Sequence, residues 1–421
     1  MRSSRWSSPG RSGLSRSVAL AATLFAVDAA TLGGHATPGS RLTGAEAHVL
    51  LTTASIVRDG DLDLRNQYRD RRAREFFNGP LRPSAPPDQA GRVLEPQGIG
   101  FPLLLAPAYA VGGVTAVRLL LAALAAVAFA CAAALARRLV PEPWATAAAL
   151  AVGLSPPVVA ASTAIRPEIA AAAGLAGAAL LALRIRDDPQ AAPAFWAALL
   201  IAAVPWLGLS AVLPAVVIAI AMTRWLRRRR RGMAGFVALE VVLTSAVVYI
   251  TVNGNLYGGL TPYAGRLQSG PATGVRDVGD ALSRLPRLAE LLGDLLRWAP
   301  VTALALASAY LLIRARRERL RAVIGDHVHV EVVAAFLALL IGAQVLEAAL
   351  FAPAIHGAWF DTRMVVPALP FVAALAAWAL RRFPRTGGAL AAVTVALTAW
   401  MLVAALTGDA TLAPAGGFGF A

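Results

Sequence analysis

Residues 113–138 read GVTAVRLLLAALAAVAFACAAALARR, 24 predominantly apolar residues closed by Arg137 and Arg138. A run of that length is what an α-helix needs to cross the hydrocarbon core of a bilayer. A basic pair at its end marks the side on which the chain is retained. The same unit recurs throughout the sequence. Of 421 residues, 57% are hydrophobic and 15% charged, whereas an average soluble domain carries about 25% charged residues. The fold class that follows is an all-α polytopic membrane protein with about 11 transmembrane helices.

The expected spans are 17–34, 113–136, 143–160, 168–184, 192–207, 209–223, 233–251, 299–313, 329–351, 364–380 and 388–406. With the N-terminus inside, the inner segments hold Arg137 and Arg138; Arg184 and Arg186; Arg224 and the run 227–231; Arg314, Arg316, Arg317, Arg319 and Arg321; and Arg381, Arg382 and Arg385. The short outer turns hold almost none, which is the positive-inside pattern. It also accounts for the formal charge of +15: all 39 basic residues are Arg, set largely in short loops between apolar runs. Membrane retention explains that excess better than nucleic-acid binding does. Residues 1–16 are then a cytoplasmic tail and 17–406 the membrane domain, with long outer loops at about 35–100 and 252–298 and an extracytoplasmic tail at 407–421. The stretch 101–113 is apolar but interrupted by Pro102 and Pro107, and is expected to be a short re-entrant or interfacial helix. PWLG at 205–208 splits 192–223 into two short spans, because Pro breaks a helix interior. The single Cys131 excludes a disulfide within the chain, and five scattered His show no zinc-like spacing.

The polar residues that this topology sends to the outer face carry the functional signal, since ionisable groups at a bilayer usually line a polar cavity. The first outer loop holds LTGAEAHVL (42–50) and RDGDLDL (58–64). Glu46 is the sharpest candidate for a base or a cation ligand. Thr43 and Glu46 also have the Thr-x-x-Glu spacing of a helix capping box, which the residues by themselves favour. His48 points to another side of such a helix and reads as a surface polar residue. Asp59, Asp61 and Asp63 flank Gly60, where the helix is expected to stop; the downstream Glu of a calcium loop is missing. Arg166 and Glu168 sit where an outer turn enters a helix, and Arg363 follows WFD at 359–361. Arg matches a phosphate bidentately, while Glu168 also suits a helix N-terminus electrostatically. Tyr257 and Tyr263 in NGNLYGGLTPYAGR (253–266) could stack on a sugar ring or anchor at the headgroups. His356 belongs to the same outer set.

Taken in order, GAEAHVL (44–50), DGDLDL (59–64), PLLLAP (102–107), NGNLYG (253–258), WAP (298–300) and GAWFDTRMVVPALP (357–370) resemble the GT-C superfamily of integral-membrane glycosyltransferases. That superfamily includes protein O-mannosyltransferases and lipid A aminoarabinose transferases; the likeness is closest to an actinobacterial branch and runs over almost the whole chain. The resemblance implies a polyprenyl-phosphate sugar donor, inversion at the anomeric carbon, an extracytoplasmic glycan, lipid or protein acceptor, and a bacterial plasma membrane location. Phosphate is the leaving group, neutralised by Arg and sometimes by a divalent cation, Mg or Mn. It places catalysis on Glu46, with Asp59 as the loop acid, and substrate binding on Arg166, Glu168, Tyr257, His356 and Arg363. The first acid of the family's pair is replaced by Ala45. That departure keeps open a catalytically silent relative that binds lipid-linked sugar or a partner. A transporter or flippase is less well matched, because no inverted repeat is visible and the ionisable groups gather at one face.

Overall fold

The computed structural model describes residues 11–34, 41–88, 90–228, 232–264, 278–283, 286–319, 328–350 and 362–407. The described elements are all helical: α1 (Arg11–Ala30), α2 (Gly44–Arg58), α3 (Arg65–Arg69), α4 (Gly100–Ala136), α5 (Trp144–Gly153), α6 (Pro156–Thr163), α7 (Pro167–Asp187), α8 (Ala191–Leu207), α9 (Val212–Arg228), α10 (Gly232–Tyr257), α11 (Val278–Ser283), α12 (Pro286–Trp298), α13 (Ala303–Arg319), α14 (Val328–Leu350), α15 (Leu369–Arg382) and α16 (Pro384–Thr407). Seven of the described helices are long and apolar enough by themselves to cross a bilayer, and nine spans result if each of two bent pairs forms one.

The interior is built from alanine. Ala128, Ala132, Ala133 and Ala136 of α4 meet Ala172, Ala176, Ala179 and Ala182 of α7 and Ala373, Ala374, Ala376 and Ala377 of α15 in one buried cluster. Lipid is as apolar as leucine, so small side chains that let backbones approach hold such bundles together. α15 is almost wholly buried at the centre, while α10 and α16 face outward along most of their length. At one end of the bundle Arg137 Nη2 donates to Ser17 Oγ (3.0 Å), and Arg138 pairs with Asp187 (2.8 Å). The start of α1 and the ends of α4 and α7 therefore share that end. α2 and the start of α4 lie at the other.

Two expected elements change shape. The stretch 101–113 is joined to the following span as α4, with a break at Gly112 and Gly113, where Gly113 has φ 59° and ψ −145°. The expected span 143–160 is bent by 61° between α5 and α6, where Pro156 and Pro157 can open a helix but not continue one. α12 meets the segment after Pro300 at 116°. The split of 192–223 is present, but at Gly208 and not at Pro205, which lies inside α8; α8 ends at Leu207 and Gly208 separates it from the next helix.

Candidate functional site

Thr43 caps α2, and the capping box is complete. The Glu46 N–H donates to Thr43 Oγ1 (3.3 Å), and Glu46 Oε2 accepts from the Thr43 N–H (2.7 Å) and from its hydroxyl (2.8 Å). The carboxylate has a further partner. Oε1 accepts the backbone N–H of Ile165 at 2.7 Å, and Glu46 is only 1% exposed. Three of its roughly four lone-pair positions are thereby occupied. Glu46 pins the N-terminus of α2 to the connection between α6 and α7, which carries Arg166 and leads into Glu168 in the first turn of α7.

Around it the structure gathers charges from four elements. Arg363, on the 3-10 turn Thr362–Ala368, lies within Coulombic reach of Arg166, Glu168 and Glu46. Arg118, from the middle of α4, reaches Glu46 in the same way and donates to the carbonyls of Leu32 (2.9 Å) and Arg41. Three guanidinium groups thus face two buried carboxylates. Arg118 Nε and Arg166 Nε are buried with no hydrogen-bond partner. An excess of buried cation with unused donors is a site for an anion. α14 sets the Arg363 turn in place: Gln344 Nε2 donates to Ser210 O (2.6 Å) and Met364 O (2.7 Å). Three residues on, Glu347 accepts the N–H groups of Val212 (3.0 Å) and Leu213 (2.8 Å) at the start of α9. An apolar cavity of about 230 Å³ opens beside the Arg363 turn, lined by Leu291, Leu295, Leu306, Ile341, Val365 and Leu369.

A second constellation lies on the other side of α2. His48 is part of a buried network and not a surface residue: its side chain is 12% exposed, with Nδ1 2.8 Å from the Tyr68 hydroxyl and 3.2 Å from Glu95 Oε1. The Tyr68 hydroxyl donates to the same Glu95 oxygen, and the Ser84 N–H adds a bond at 3.2 Å. Burial opposes the charged form of Glu95, but the bonds from His48, Tyr68 and Ser84 outweigh it and hold the carboxyl below its usual range. Burial, and then the charge of Glu95, push the Tyr68 phenol up, so it keeps its proton. Tyr257, at the end of α10, is within Coulombic reach of Glu95. It lines a cavity of about 580 Å³ together with Leu94, Pro96, Asn255 and Pro262.

Asp59 stands apart from Glu46. It caps the far end of α2, roughly 20 Å away at 1.5 Å per residue, and accepts from Gln67 Nε2 (2.6 Å) and Asn66 Nδ2 (3.2 Å). Asp61 accepts from Ser55 Oγ (2.8 Å), and Asp63 from the Val93 N–H (3.0 Å). The helix stops where expected, at Gly60 with φ 73°. Of these acids, Asp63 ties the segment that carries Glu95 in place. His356 lies outside the described residues, as do Trp359 and Asp361. Among the described residues no group of three or more His, Cys, Asp and Glu is placed to hold a metal. Among the described residues, the carboxylates facing Arg363 are Glu46 and Glu168.

No family pattern matches the sequence, and no curated protein does. Solved structures do. ArnT from Cupriavidus metallidurans bound to undecaprenyl phosphate superposes with a TM-score of 0.56 at 17% identity, over 94% of this chain and 65% of ArnT. The chain has the GT-C fold. The apo form of the same ArnT gives a TM-score of 0.54. The GT-C oligosaccharyltransferase AglB from Archaeoglobus fulgidus, in complex with an inhibitory peptide and a dolichol-phosphate, gives 0.50 at 12% identity, over 95% of this chain and 56% of AglB. The chain therefore spans less than two thirds of either neighbour.

Arg118, Tyr68, Glu95, Gln344 and Glu347 were not singled out in the sequence. Arg118, Gln344 and Glu347 were visible as polar residues inside apolar runs, which is a functional signal in a membrane protein. Tyr68 and Glu95 gave no such signal within a polar loop.

Proposed function

We propose that the protein is a membrane glycosyltransferase that moves a sugar from a polyprenyl-phosphate donor to an extracytoplasmic acceptor. The observation that carries this reading is the juxtaposition at Arg363. Arg118, Arg166 and Arg363 face two buried carboxylates, and the apolar cavity starts two residues away at Val365. A phosphate held by guanidinium groups with its isoprenoid tail in an apolar groove needs these two surfaces side by side. The fold supports the reading, since both neighbours were solved with polyprenol phosphates bound.

In this reading Arg166 and Arg363 take the leaving phosphate, and Glu168 balances their charge. Tyr257 belongs to the acceptor side, on the cavity beside Glu95. Glu46 holds the Arg166 connection in place. The site faces the outside of a bacterial plasma membrane, opposite the arginines at the ends of α4, α7, α9 and α15. Ala45, an exposed methyl on α2, favours one second reading: a silent relative that binds the lipid without turnover.

Arg363→Lys tests the phosphate contact, because a point charge loses the bidentate geometry. In nanodiscs, binding of undecaprenyl phosphate is expected to weaken about tenfold, which corresponds to about 1.4 kcal/mol. Binding of undecaprenol is expected to stay unchanged. Equal binding of the phosphate by both proteins would remove Arg363 from the phosphate site.

A further inference from the structure

On the first turns of α2, Ala45 is exposed and His48, three residues on, is 12% exposed at its side chain. Residues at i and i+3 share a helix face, and helical side chains lean toward the N-terminus, so the imidazole lies over the position that Ala45 leaves open. Its ring is oriented. The Tyr68 hydroxyl donates to Glu95, so the hydrogen between His48 and this pair belongs to His48 Nδ1. A carboxylate that fixes the Nδ1–H tautomer leaves the Nε2 lone pair as the nitrogen available to an outside partner. His48 therefore stands between two regions. On one side, Glu46, two residues back and roughly 3 Å along the helix axis, binds the connection that carries Arg166. On the other, Tyr257 and the residues flanking Glu95 line the 580 Å³ cavity.

We propose that His48 is the general base of the transfer reaction, with Glu95 and Tyr68 as its positioning residues; this rests on the glycosyltransferase reading above. Nε2 takes the proton of an acceptor hydroxyl. The oxygen's electron pair forms the new bond to the anomeric carbon of the polyprenyl-phosphate sugar. The bond from that carbon to the phosphate oxygen breaks, and its electrons leave with the polyprenyl phosphate beside Arg166 and Arg363. The imidazolium faces the Glu95 carboxylate at 3.2 Å, with the Tyr68 hydroxyl bonded to both, and returns its proton to water. Glu46 is relieved of the role, since its oxygens already hold Thr43 and Ile165.

The test uses the full-length protein and the strain from which its gene is deleted, complemented with each variant. Incorporation of labelled sugar into the envelope glycan that deletion removes is followed. His48→Asn is expected to reduce transfer roughly 100- to 10,000-fold at unchanged membrane abundance. Glu95→Gln is expected to slow transfer, because the imidazole has lost the carboxylate that orients it. Independently, ¹⁵N NMR of the purified wild type is expected to show one His in the Nδ1–H tautomer. Its signal should be absent in His48→Asn, and the preference lost in Glu95→Gln. Wild-type transfer by His48→Asn, or an Nε2–H tautomer at His48, would overturn the base while leaving the glycosyltransferase standing. A wild type that restores no glycan brings down both.

Discussion

Replacing Glu46 by Gln leaves a single oxygen for three donors. If that oxygen keeps the capping box, the new NH₂ group faces the Ile165 N–H; if it turns to Ile165, the box opens. Either arrangement leaves a buried donor unmatched, at a cost of about 1–3 kcal/mol. Glu46→Gln is therefore expected to lower the melting temperature and to weaken undecaprenyl phosphate binding, because the Arg166 connection loosens. An unchanged melt would show that the contact to Ile165 contributes nothing. Glu95 gives a pH signature. Its carboxyl is held below its usual range in the folded protein, so the stability it supplies is present above the ordinary Glu value of about 4.3 and is lost as pH falls through the lower folded value. Proteolysis of the 76–88 segment is expected to accelerate in that acidic window, and Glu95→Gln to abolish the pH dependence. At this scale the sequence was half legible. The Thr43–Glu46 box is a local pattern and could be read. The bonds from Glu46 to Ile165 and from His48 to Glu95 join residues far apart in the chain, and no local spacing announces them.

The helices were the most readable level, because length and apolarity alone set them. Their breaks were less so. The proline pair at 156–157 bends an expected span, and a glycine pair joins an expected interfacial helix to a span while turning the chain between them. Gly113 has the φ 59°, ψ −145° geometry that only glycine adopts readily, and a Cβ there meets nothing within 4 Å. Gly113→Ala is thus expected to destabilise through the backbone alone, by about 1–3 kcal/mol. Gly174→Ala, at an open position inside α7, is expected to be neutral or stabilising by up to about 1 kcal/mol. Thermal melts of the two variants separate backbone strain from loss of glycine as such. Equal melts would contradict the conformation at Gly113.

At the scale of the whole molecule, hydropathy and the alternation of arginines were enough to give a polytopic bundle with its polar residues collected at one end, and the ordered motifs were enough to give the GT-C fold. Which polar residues meet was set by the bends at 112–113, at 154–155 and before Pro300, and these are properties of packing. The central claim is that this end of the bundle releases a sugar from a polyprenyl phosphate. The most direct measurement is paired analysis of envelope glycans and polyprenyl-phosphate sugars before and after deletion of the gene. One glycan is expected to lose a sugar residue while the lipid-linked form of that sugar accumulates, and the wild-type gene is expected to reverse both. Unchanged glycans with an unchanged pool of lipid-linked sugars would contradict the account.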